Sequence, residues 1–115
     1  MNVLCWLLVA EAIAYATASL IHAEVLLPGN PDPAASTAEG IIAVVLVAGA
    51  AVSWLRPAWT RLTALLVQGF ALAGTSIGLY LFVTLTPEKV ADIVFHVVIM
   101  LVLAGGLVLA ARLRR

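Results

Sequence analysis

Apolar residues fill the chain in four long runs, which three short polar or proline-containing breaks separate. Each run holds about 18–26 residues, and a helix needs about 20 to cross the ~30 Å hydrocarbon core of a bilayer. The alternation of period two that a membrane β-barrel requires is not visible in these runs. The pattern therefore predicts four membrane-spanning helices, at about residues 2–27, 38–55, 62–85 and 87–111.

The breaks between the runs set the limits of the predicted helices. The first break contains prolines at positions 28, 31 and 33, where a helix cannot continue. After it, Ser36 and Glu39 have the spacing of a capping box, which predicts the start of the second helix. Thr86 followed by Pro87 predicts the start of the fourth helix, since proline is favoured at the first helical position.

Composition indicates that lipid is the solvent for these helices. Hydrophobic residues make up 64% of the 115 residues and charged residues 10%, against roughly 45–50% and 25% in soluble domains. A domain of this length buries too small a share of its surface to hide so much apolar area from water. We therefore predict one integral membrane domain, residues 1–115, folded as an all-α, antiparallel up-down four-transmembrane-helix bundle. The formal net charge is zero and the sequence has no basic run, so nucleic acid is not predicted as a partner.

The positions of the arginines predict the orientation of the bundle. They lie in the second break and at the C-terminus, namely at Arg56, Arg61, Arg112, Arg114 and Arg115. The positive-inside rule places both regions in the cytoplasm, and an even number of spans returns the N-terminus to the same side. Three tryptophans, Trp6, Trp54 and Trp59, fall at this boundary, where indole rings prefer to lie. The sequence thus predicts a multi-pass protein of a bacterial plasma (inner) membrane with both termini cytoplasmic.

The first helix carries an ionisable group where one is costly. Glu11 lies near its middle, and ionisable residues within a span are functional candidates by default. Tyr15 and His22 share its face, because 11 residues lie within about 20° of three full turns. We assign Glu11 and Tyr15 as a proton-handling pair. The alternative is that Glu11 stays protonated and bonds to Gln68, a serine or a backbone carbonyl as a contact between helices.

The fourth helix carries a second polar face, on which Glu88, Asp92, His96 and Met100 follow one another at four-residue spacing. His22 and His96 are predicted at similar depth in the outer half of the membrane, with Glu39 beginning the second helix on the same side. We predict that His22, Glu39, Asp92 and His96 converge on a metal ion. Such a set of imidazoles and carboxylates suits zinc, copper or iron, and two histidines alone could ligate haem b.

Simpler roles exist for the same groups. The histidines could hydrogen-bond to carboxylates and hold the bundle together, as Asp92 and His96 could at their spacing. Glu39 is explained equally well as the second member of the capping box. No HExxH or CxxC motif accompanies these residues. No nucleophile–base pair or phosphate-binding loop is visible either, so hydrolysis and phosphoryl transfer are not predicted.

The segment Ala10-Glu11-Ala12-Ile13, together with the chain length and the four spans, resembles the small multidrug resistance transporters in outline. The resemblance covers a handful of residues. It implies a dimer that exports small molecules in exchange for protons carried by Glu11. Three functions thus remain open: a membrane protein that binds a metal or haem, a proton-coupled transporter, and a non-catalytic subunit of a larger membrane complex.

Overall fold

The computed structural model describes residues 2–23, 33–85 and 90–113, with their side chains except at 81–85 and 90–92. These residues form four helices: α1 (Val3–His22), α2 (Pro33–Leu55), α3 (Thr60–Leu85) and α4 (Val90–Arg112). A short 3₁₀ turn, Pro57–Trp59, connects α2 to α3. The prediction of four helices and of an all-helical bundle is confirmed.

The helix limits differ from the predicted ones mainly at α2. This helix already begins at Pro33, so Ser36 and Glu39 lie inside it, and the predicted capping box is wrong. The physical reason is that proline suits the first helical position, while the side chains of Ser36 and Glu39 bond to α1 instead. At the other ends, residues 24–27 of the first predicted span and the Thr86–Pro87 cap lie outside the described residues.

All four helices are long and apolar enough to span a membrane. At a rise of 1.5 Å per residue, helices of 20 to 26 residues measure about 30–39 Å, which matches the hydrocarbon core. Large apolar side chains are exposed along the outer faces of the bundle, as expected where lipid is the neighbour; examples are Ile13, Val44, Leu66, Ile77 and Leu101.

The buried core joins α1 to α2 and α4. Leu8 and Ala12 of α1 pack with Leu46 of α2 and Leu103 of α4 in one buried cluster. The Cys5 thiol donates to the carbonyl of Ala50 at 3.2 Å, so the start of α1 lies beside the end of α2. These two helices are therefore antiparallel neighbours.

The two ends of the bundle differ in their polar residues. At one end, Asn2 Nδ2 donates to Thr60 Oγ1 at 3.3 Å, and Leu4, Ala64 and Ala110 pack together. We call it the arginine end, because Arg56 and Arg61 beside the turn before α3 and Arg112 at the end of α4 lie there. The opposite end, where α1 finishes at His22 and α2 begins at Pro33, is called the histidine end. Which end faces the cytoplasm stays a prediction.

Candidate functional site

A line of polar side chains follows the inner face of α1 from its middle to the histidine end. Its members are Glu11, Tyr15, Ser19 and His22, separated by steps of four, four and three residues. Residues at these spacings are neighbours on a helix surface, with about 5–6 Å between Cβ atoms. Glu11 and Tyr15 are each only 1% exposed. We call this line, with the partners of its members on α2 and α3, the polar row.

Glu11 is held by an amide from α3. Gln68 Nε2 donates to both carboxyl oxygens of Glu11, at 3.0 Å to Oε1 and 3.3 Å to Oε2. Gln68 is fully buried, and no cation among the described residues forms an ion pair with Glu11. A carboxyl group in this setting has a neutral donor and no counter-charge within the described part of the bundle, so its protonation state controls the local charge.

The Gln68 amide also packs against α4. A Cβ atom added at Gly106 would lie 2.8 Å from both Cδ and Oε1 of Gln68, closer than real atoms approach. Gly106 thus leaves the space that the amide fills. The Oε1 atom of Gln68 is buried and has no hydrogen-bond partner among the described residues.

One step along the row, the Tyr15 hydroxyl is hydrogen-bonded to Thr75 Oγ1 of α3. The Tyr15 ring packs edge-to-face against Phe95 of α4, with ring centroids 6.1 Å apart and an interplanar angle of 81°. A hydroxyl pair of this kind can exchange donor and acceptor roles by rotation. Tyr15 therefore joins α1 to α3 and α4 at the depth next to Glu11.

Ser19 and Ser36 connect α1 to α2 through reciprocal hydrogen bonds. Ser19 Oγ donates to the Ser36 carbonyl at 2.7 Å, and Ser36 Oγ donates to the Ser19 carbonyl at 2.9 Å. The two hydroxyl oxygens are 3.3 Å apart. This contact brings the backbones of the two helices together.

His22 and Glu39 end the polar row. His22 Nδ1 is hydrogen-bonded to Glu39 Oε1, and the two form an ion pair when the imidazole is protonated. Their side chains are only 11% and 9% exposed. These two residues, which the sequence predicted as ligands of one metal ion, are in direct contact.

The other two predicted metal ligands lie on α4. His96 is half-buried, and its ring packs edge-to-face on Phe95 at a centroid distance of 5.7 Å. The side chain of Asp92 lies outside the described residues. Within the described part of the chain, no three His, Cys, Asp or Glu side chains are grouped so that they could hold a metal ion. The four-ligand site stays a prediction.

Some contacts of the row were visible in the sequence and others were not. Glu11, Tyr15 and His22 could be placed on one face by spacing alone, and Gln68 was one of the expected partners of Glu11. The roles of Ser36 and Gly106 were missed, since one was interpreted as a helix cap and a glycine in a Gly- and Ala-rich helix carries no signal of its own. Thr75 was visible only as a polar residue of the third helix.

Comparison with known proteins does not identify a family. No family model matches the chain, and neither a curated protein nor a solved structure matches it significantly.

Proposed function

We propose that this chain is a proton-handling membrane protein in which Glu11 takes up and releases a proton inside the bilayer. The observation that carries the proposal is the polar row, in which Glu11, Tyr15, Ser19 and His22 follow one another along one face of α1. Each of them is hydrogen-bonded to a residue of α2 or α3. Carboxyl, phenol, hydroxyl and imidazole groups can each accept and donate a proton. Eleven residues of helix correspond to about 16 Å, or half of the hydrocarbon core.

In this proposal the groups have different roles. Glu11 is the site that gains and loses the proton, and Gln68 holds its carboxyl group in place in either state. Tyr15 and Ser19 pass the proton, and His22 with Glu39 exchanges it with the aqueous side at the histidine end. The positive-inside rule predicts that this side is the exterior.

The burial of the row favours this function over a non-catalytic subunit. A subunit that used its polar stripe to contact a partner would present that stripe on its outer surface. The side chains in the middle of the row are instead buried: Glu11, Tyr15 and Gln68 are at most 1% exposed. Their hydrogen bonds join α1 to α3 inside the bundle. Coupling of the proton to a small molecule, as in a transporter, is a further step for which Glu11 would be the exchanging group.

The test is proton flux into liposomes that contain the purified protein and an internal pH-sensitive dye, driven by a potassium diffusion potential. Replacing Glu11 by Gln should slow the flux at least about tenfold, because the titrating group within the membrane is lost. The control is Thr17→Val, which removes a hydroxyl from the exposed face of α1. Flux equal to that of empty liposomes, or unchanged flux in Glu11→Gln, would show that the proposal is wrong.

A matched pair of serine variants tests the proton path through Ser19 separately from the proton-binding group, Glu11. Ser19 lies in the row, whereas Ser76 of α3 donates to the carbonyl of Leu72 in its own helix at 2.8 Å. Ser19→Ala should slow proton flux, and Ser76→Ala should leave it at the wild-type rate. Equal effects would place the proton path elsewhere.

A second candidate is a metal or haem site at the histidine end, favoured by the contact between His22 and Glu39. Asp92 and His96 would supply the remaining ligands, and zinc, copper, iron or haem b would be held. Metal analysis and an absorption spectrum of the purified protein should then reveal a stoichiometric metal or a Soret band. His22→Ala should abolish the signal, while Glu11→Gln retains it. A protein that stays metal-free and colourless after incubation with metals and haemin would exclude this candidate.

A further inference from the structure

A groove between α1 and α2 opens on the outer surface of the bundle, next to the polar row. It has a volume of about 560 Å³, within the range of about 300–1,000 Å³ that is typical of sites for small molecules. It is lined by Ser19, Ser36, Thr37, Gly40, Ile41, Val44 and Val45. Because the groove lies on membrane-spanning helices, a molecule reaches it from the lipid.

The groove has a polar end and an apolar end. The hydroxyls of Ser19, Ser36 and Thr37 lie toward the histidine end, and Ile41, Val44 and Val45 continue toward the middle of the membrane. Gly40 lies between the two parts; a Cβ atom there would lie 3.3 Å from Ser19 Oγ. None of the lining residues is charged.

The hydroxyl hydrogens at the polar end are already donated to backbone carbonyl oxygens of the protein. Ser19 and Ser36 donate to each other's carbonyls at 2.7 and 2.9 Å, and Thr37 Oγ1 donates to the carbonyl of Pro33 at 2.9 Å. A hydroxyl has one hydrogen to donate and two lone pairs that accept. The polar end therefore presents acceptors, and a matching ligand must supply donors.

We propose that the groove binds an uncharged amphiphile with a hydroxyl-bearing head and a single hydrocarbon chain. The head donates to the oxygens of Ser19, Ser36 and Thr37, and the chain lies along Ile41, Val44 and Val45. Phosphate heads of bilayer lipids supply acceptors and a charge that these residues do not complement. The inference goes beyond the proposed function and holds whether or not Glu11 carries protons.

The experiment uses a long-chain primary alcohol with a photoreactive diazirine in its chain and, for comparison, the methyl ether of the same molecule. The purified protein in lipid nanodiscs is irradiated with either probe, and the labelled fraction and labelled peptides are measured by mass spectrometry. The alcohol should label residues of the groove about fivefold more than the ether, the size of effect expected from one net hydrogen bond. Equal labelling by the two probes would overturn the proposal.

Two valines of α2 give a matched pair of blocking variants. Val44 lines the groove and is 68% exposed, and Val47 lies outside it and is 58% exposed. Val44→Trp should abolish the excess labelling by the alcohol because the indole fills the groove, and Val47→Trp should leave it unchanged. Loss in both variants, or in neither, would mean that the probe binds elsewhere.

A pair of more conservative variants, each replacing threonine by valine, keeps the proposal testable if tryptophan at position 44 prevents folding. Thr37→Val removes one acceptor oxygen with almost no change of shape. Its control is Thr17→Val, since Thr17 Oγ1 donates to the Ile13 carbonyl at 2.8 Å in the same manner but lies outside the groove. The preference for alcohol over ether should fall in Thr37→Val alone, and an unchanged preference would contradict the role of the hydroxyl end.

Discussion

At the scale of single residues, Gln68 is the buried side chain of α3 that contacts both Glu11 of α1 and Gly106 of α4. Its amide nitrogen donates to both oxygens of Glu11, and the same amide group packs on α4 at Gly106. An amide can donate to a carboxylate and also accept from a carboxylic acid. Gln68 can therefore remain hydrogen-bonded to Glu11 in either protonation state, provided that its position is fixed by packing.

Two adjacent glycines allow this packing to be tested. A Cβ atom at Gly106 overlaps Gln68, whereas one at Gly105 meets no described atom within 4 Å apart from its chain neighbours and the backbone of its own helix. Gly106→Ala should lower the free energy of unfolding by about 1–3 kcal/mol, as overpacking does. Gly105→Ala should be neutral or raise it by up to about 1 kcal/mol, because alanine is the better helix former.

The measurement is unfolding of both variants in mixed micelles with increasing dodecyl sulfate, followed by circular dichroism. Adding Gln68→Ala to Gly106→Ala should recover part of the loss, since the overlapping side chain is then removed. Equal midpoints for Gly105→Ala and Gly106→Ala would show that Gln68 does not pack against α4 as described.

At the scale of helices, the sequence predicted number and type correctly but placed the start of α2 too late. The capping-box pattern of Ser36 and Glu39 is a local signal, and these side chains are used by a neighbouring helix instead. Local spacing cannot reveal which tertiary partner a polar group finds. The row on α1 could be predicted because all its members lie on one helix, where periodicity alone places them on a common face.

Small residues of α3 illustrate the same limit. Two pairs in this helix, Gly69 with Ala73 and Gly74 with Gly78, have the four-residue spacing of small residues that permits close helix approach. A Cβ at Gly74 would contact Ile42 of α2 at 3.3 Å, whereas a Cβ at Gly69 or Gly78 would meet no described atom of another helix within 4 Å. A tighter contact between α2 and α3 lies at Gly49, where a Cβ would meet the Val67 side chain at 2.9 Å. Composition indicates that close packing is possible, and only the relative rotation of the helices determines where it occurs.

At the scale of the whole molecule, the two ends differ in residues that predict the orientation in the membrane. Trp6, Trp54 and Trp59 belong to the arginine end, and each is at least 60% exposed. Exposed indoles are favoured at the membrane–water interface, and arginines at the cytoplasmic side. We therefore expect the arginine end to be cytoplasmic and the histidine end to face the exterior.

Cysteine labelling in intact cells checks this orientation. In a Cys5→Ser background, Ala23→Cys follows the last residue of α1 at the histidine end, and Ala58→Cys lies in the turn at the arginine end. A membrane-impermeant maleimide should label Ala23→Cys in intact cells and label Ala58→Cys only after the cells are lysed. The reverse pattern would invert the proposed direction of proton entry.

The distance in sequence between Glu11 and its partner has a consequence for how the protein is made. Gln68 follows Glu11 by 57 residues, so at about 5–20 residues per second the ribosome supplies the amide roughly 3–11 s later. By contrast, the partners of Ser19 and His22 follow after 17 residues, within the same helical hairpin.

During that interval α1 resides in the translocation machinery or the bilayer with its carboxyl group unmatched by Gln68. A charged residue at the centre of a span costs about 2.5–3.5 kcal/mol on insertion scales. Each leucine or isoleucine at the centre of the same span makes the free energy of insertion more favourable by about 0.3–0.6 kcal/mol. Because its partners are only 17 residues apart, the α1–α2 hairpin is the first unit that can assemble during synthesis. Gln68 of α3 reaches the Glu11 carboxyl group only after α1 has been inserted.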